Sequence, residues 1–70
     1  MTVQGATRLL RTDEEIALYD VDINAWRTGV VTKEYIPPVY LDWEVVALQT
    51  EMDGSTPILE FDIRPNEEAR

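Results

Sequence analysis

The sequence predicts an α+β fold: a small antiparallel sheet or partly open barrel of four to five strands, with one short N-terminal helix and a C-terminal β-hairpin. Three observations lead there. Two stretches near the end alternate apolar and polar residues around Met52-Asp53-Gly54-Ser55, a segment near the start opens as helices do, and Pro37-Pro38 interrupts the chain between them.

Taken in order, Val3 to Leu10 reads as a strand weakened by Gly5. Thr12 and Glu15 then have capping-box spacing, and Asp13, Glu14 and Glu15 sit where a helix dipole favours acids, so a helix is expected from about Asp13 to Tyr19. Tyr19 to Ala25 alternates strictly, which is strand periodicity; a helix carried on to Trp26 would point apolar side chains all around its axis. Arg27-Thr28-Gly29 reads as a turn and Val30 to Ile36 as a short strand, after which Pro37-Pro38 forces an extended break.

The hairpin is the strongest element. Val39, Leu41, Trp43, Val45 and Ala47 share one parity of its first strand, and Leu59, Phe61 and Ile63 share one parity of its second. A two-residue Asp53-Gly54 turn would mix these faces. A three-residue loop, Met52 to Gly54, with glycine at the left-handed position, aligns Ala47 with Leu59, Val45 with Phe61 and Trp43 with Ile63. It also sets Asp42 opposite Arg64 and Glu44 opposite Asp62, whereas a loop from Asp53 to Ser55 would pair Glu44 with Arg64. Turn chemistry favours the first. Pro57 has no amide to donate, which predicts a sheet edge there.

Seventy residues allow a single core, and 44% hydrophobic with 29% charged residues is a globular balance. Residues 1–65 are read as a single acidic domain and 66–70 as a disordered polar tail. With no cysteine, no disulfide or thiolate zinc site supplements the core. The first residues lack the apolar stretch of a secretory signal and no membrane-spanning run occurs, so a soluble protein of the cytoplasm is expected. Charge stands out. Fourteen acids against six bases give a formal net charge of −8, a field that repels phosphate and anionic lipid and favours cationic partners.

Asp20-x-Asp22-x-Asn24 copies the opening of a calcium loop, but Ala25 stands where that loop needs glycine and Val31 where it needs a bidentate glutamate. No histidine, cysteine or Gly-rich phosphate loop is present, and surface acids alone do not make a hydrolase, so neither an enzyme nor a cofactor is expected. Leu10 to Ala17, followed by Val21 and Trp26-Arg27, partly resembles the first helices of excisionase-type DNA-binding proteins. A helix-turn-helix with this charge starts with the wrong sign for duplex DNA, so a DNA-binding accessory protein of that type is the lesser alternative and direct nucleic-acid binding is not expected. Trp43 falls on the inward parity and reads as core, while Tyr35 and Tyr40 flank the prolines as a second aromatic pair.

The remaining candidate is the outward face of the hairpin: Tyr40, Asp42, Glu44, Val46 and Leu48 on one strand, with Ile58, Glu60 and Asp62 on the other. Mixed apolar and acidic character suits docking on a basic protein surface. The function expected from the sequence is a small acidic protein-binding module, of the inhibitor or adaptor kind, covering a basic and even nucleic-acid-binding protein surface. The alternative is a structural subunit of a homo-oligomer that buries Ile58, Val46 and Leu48 between copies.

Overall fold

Thr2 starts the first element. The computed structural model describes residues 1–66, and in it the Thr2 hydroxyl accepts the Gly5 amide at 3.1 Å, capping helix α1, Val3–Thr7. This segment was expected to be a strand. Val3, Ala6 and Thr7 are buried and Leu10 is half-buried, which is helical spacing. Lys33 then reaches back to close the helix end, its ammonium donating to the Thr7 and Leu10 carbonyls at 3.3 and 2.7 Å.

The helix expected from Asp13 to Tyr19 does not form. Residues 11–15 are a loop, in which exposed Arg11 lies 3.5 Å from Asp13, and the chain then enters strand β1, Ile16–Asp20. Ile16, Ala17 and Leu18 are all buried, so this is a strand covered on both faces rather than an amphipathic helix. The strand expected to run from Tyr19 to Ala25 stops at Asp20. Its carboxylate accepts the Asp22 amide at 2.9 Å and the Arg27 Nε at 3.0 Å, and Asn24 turns the chain with φ of 53° into β2, Ala25–Trp26. The segment resembling a helix-turn-helix is therefore loop and strand. Past β2 the chain stays beside β1 irregularly: Thr28 Oγ1 accepts the Leu18 amide at 3.0 Å, and Ile16 and Val31 exchange both backbone bonds at 2.8 Å. The strand expected from Val30 to Ile36 reduces to that bridge, followed by 3-10 turns at Lys33–Tyr35 and Pro38–Tyr40.

The C-terminal hairpin is present as β3, Glu44–Asp53, and β4, Thr56–Arg64. Its register differs from the expected one. The turn has two residues, Gly54-Ser55, with Gly54 at φ of 65° in the first central position, as a type II′ turn requires. Asp53 therefore faces Thr56 and Leu48 faces Phe61. A bulge at Val46 then shifts the pairing, so that Val45 faces Ile63 and Glu44 faces Arg64.

The four strands form one open sheet in the order β2-β1-β4-β3. The sheet is mixed, because its central pair, β1 and β4, runs parallel with Leu18 beside Phe61. Pro57 fits this arrangement: β4 gains its β1 neighbour only from Leu59 onward, so the missing amide faces no strand. One face of the sheet carries the core. Ile16, Leu18, Phe61 and Ile63 meet Val3 and Ala6 of α1 and Ile36 of the long connection, with Leu41, Trp43 and Val45 packed around them. Trp43 is part of this packing, with Tyr40 edge-on at 5.0 Å and the Arg27 guanidinium 5.5 Å from its ring centre. Among the described residues no helix is long and apolar enough to cross a membrane. The polar tail expected at 66–70 lies, from residue 67 on, outside the described residues.

Candidate functional site

The face of the sheet opposite α1 is set by the hairpin pairing and by β1. Cross-strand partners share a face, so Ile58, Glu60 and Asp62 of β4 lie with Glu51, Gln49 and Ala47 of β3 on one side and with Ala17 and Tyr19 of β1 on the other. Trp26 of β2 extends this face at its far edge, its ring edge-on to Tyr19 at 5.0 Å.

Of the eight residues picked from the sequence, the structure gathers Ile58, Glu60 and Asp62 here, with Glu44 on the same face at its end, opposite Arg64. Val46 is the bulged residue. Leu48 pairs with Phe61 and so belongs to the opposite face, where it remains exposed. Tyr40 and Asp42 precede the strand, and Tyr40 packs on Trp43. The bulge is what separates them: a two-residue alternation carried across it exchanges the faces.

Glu60 and Asp62 are not solvated. They are 7% and 6% exposed, between the neighbouring strands. The Gln49 side chain donates to Asp62 Oδ2 at 2.8 Å, while Asp62 Oδ1 is buried with no hydrogen-bond partner among the described residues. Hydrogen bonding to Asp62, burial, and the nearby Glu51 together push the Glu60 carboxyl up to about 8. Glu60 therefore keeps its proton near neutrality beside Asp62 and Glu51. This removes one unit from the formal −8 and allows three acids to share one small area.

Beside these acids lies an open groove of about 680 Å³. Its floor is Ala17, Ile58 and Glu60, one wall is the segment from Trp26 to Val30, and the other is Glu51 and Asp53 at the hairpin end. Trp26 is 51% exposed, so the groove offers an aromatic surface opposite two exposed carboxylates. Such an arrangement can hold a cationic side chain by charge at one wall and by its aliphatic or guanidinium plane at the other. Glu51, Asp53, Gln49 and Trp26 were not among the residues picked from the sequence. Only the correct turn, Gly54 in first position, would have brought Glu51 diagonal to Glu60.

No family model matches the chain, and no curated protein and no solved structure matches it either.

Proposed function

We propose that this chain is an acidic protein-binding module that receives a basic segment of a partner protein in the groove between Trp26 and the hairpin end. The observation that supports it is the placement of exposed Glu51 and Asp53 on one wall of a half-apolar groove with an exposed tryptophan on its far side. A basic segment from a nucleic-acid-binding protein fits this chemistry, and the module then acts as an inhibitor or adaptor by covering it. The reading includes no catalytic step and no cofactor.

The test is a titration with a short lysine- and arginine-rich peptide, followed by Trp26 fluorescence and calorimetry. Binding should weaken as salt rises, because the contributing carboxylates are exposed. Replacing Glu51→Gln and Asp53→Asn together should weaken it about tenfold, or ~1.4 kcal/mol, without changing the fold. Equal affinity in the double variant would refute the assignment of the groove.

A further inference from the structure

Strand β3 is an edge. It pairs with β4 on one side, and on the other only its first residues are occupied: Val45 donates to the Met1 carbonyl at 2.7 Å, and Glu44 bridges to Thr2. Beyond the bulge, no other described residue pairs with this edge.

Which backbone groups are free follows from the ladder. The Asp53–Thr56 pair closes a two-residue turn and exchanges bonds within the hairpin, so residues of the next parity, Met52, Thr50 and Leu48, point their N–H and C=O groups outward. The opposite strand agrees. Leu59, the partner of Thr50, donates its amide away from β3, to the Glu15 carbonyl at 3.0 Å. The same three residues turn their side chains to the face opposite the acidic groove, where Leu48 and Met52 are 55% and 63% exposed.

This edge matches itself. Laid antiparallel on a second copy about a two-fold axis at Thr50, Leu48 falls opposite Met52, Thr50 opposite Thr50, and Met52 opposite Leu48, so every outward N–H and C=O of the three residues finds a partner. On the acidic face the same register sets Gln49 against Glu51, keeping the two Glu51 carboxylates from standing directly opposite. Val46 reaches the Gly54 turn of the second copy, and the pairing ends there, before the edge that Met1 and Thr2 already cover.

We infer that β3 is a self-pairing edge: a second copy of this chain adds to it antiparallel, in register about Thr50, making one continuous sheet with the two acidic grooves on the same face. The pairing satisfies edge groups that a solitary exposed strand leaves as an aggregation hazard. It also sets the exposed Leu48 and Met52 side chains of one copy beside Met52 and Leu48 of the other.

Net charge gives the test its sign. Two acidic copies repel, so salt strengthens this association, whereas it weakens binding of a basic peptide in the groove; the failure of either idea leaves the other readable. Sedimentation velocity from about 5 to about 500 µM should show a monomer–dimer equilibrium that tightens at least about threefold between roughly 50 and 500 mM salt. Amide exchange at Leu48, Thr50 and Met52 should slow as the dimer forms, with Gln49 and Glu51 unchanged. Thr50→Pro removes the central outward N–H, and Thr50→Lys sets two ammonium groups face to face without altering the backbone. Either should give a folded monomer by circular dichroism, and the lysine variant serves if the proline variant fails to fold. A wild type that stays monomeric throughout overturns the inference, as does a dimer whose Leu48, Thr50 and Met52 amides still exchange freely.

Discussion

The two ends of the β3–β4 hairpin are held in different ways. At its root, Val45 and Ile63 face each other, Ile63 is fully buried, β1 flanks β4, and Met1 closes the outer edge. At its tip, Met52 is 63% exposed, Pro57 faces no strand on its far side, and the edge of β3 is open. The hairpin is thus packed into the core at its root and open at its tip. The core contacts of the hairpin lie at its root, and the proposed groove and the open edge lie toward its tip.

Substitutions break this comparison in graded steps. The largest effect belongs to the root. Phe61 is 1% exposed within the core cluster that includes Leu18 of β1 and Val3 of α1, so Phe61→Ala should remove about 3–5 kcal/mol, comparable with the whole stability of so small a domain, and leave it largely unfolded by circular dichroism. At the turn, Gly54→Ala places a side chain at φ of 65° with open space around it, so the expected loss of about 1–2 kcal/mol in urea unfolding is conformational, not steric.

Glu60 links the two ends through pH. Its folded carboxyl titrates near 8 against an ordinary 4.5, so the folded state binds more protons than the unfolded chain between those values. The stability tied to its protonated form is complete below about 4.5 and is lost as pH rises through 8. Asp62 and Glu51 are the acids facing it, with the Gln49 amide already engaged by Asp62. Glu60→Gln should therefore match wild type in acid and exceed it by about 1 kcal/mol at pH 9, as read from urea midpoints. An unchanged pH profile would contradict the raised Glu60 carboxyl. The smallest effect belongs to the tip: Met52→Ala should change monomer stability by less than about 0.5 kcal/mol, since the residue is 63% exposed.

The hairpin was legible because alternation and Gly54 both mark it, and the single short helix within a small sheet was legible as a class. Its register was not. The bulge at Val46 changes parity within the strand, so no single alignment satisfies Val45 with Ile63 and Leu48 with Phe61 together. The helix itself was assigned to the wrong segment. Thr12 and Glu15 have capping spacing, yet Ile16-Ala17-Leu18 is an apolar run that suits a strand buried on both faces, and the parallel partner that buries it lies far along the chain. Val3, Ala6, Thr7 and Leu10 did show helical spacing, with Thr2 ahead of them as the cap. In the site, Ile58, Glu60 and Asp62 followed from β4 alone. Glu51, Asp53 and Trp26 depend on register and on the turn at Asn24, which local pattern does not reveal.

Amide shift mapping during titration with a lysine- and arginine-rich peptide addresses the groove most directly. The expected result is a set of salt-sensitive shifts confined to residues 26–30, 51–53 and 58–60, including the Trp26 indole. Shifts spread over acids far from the groove, such as Asp13, Glu34 and Asp42, would mean that the peptide follows net charge and that the groove selects nothing.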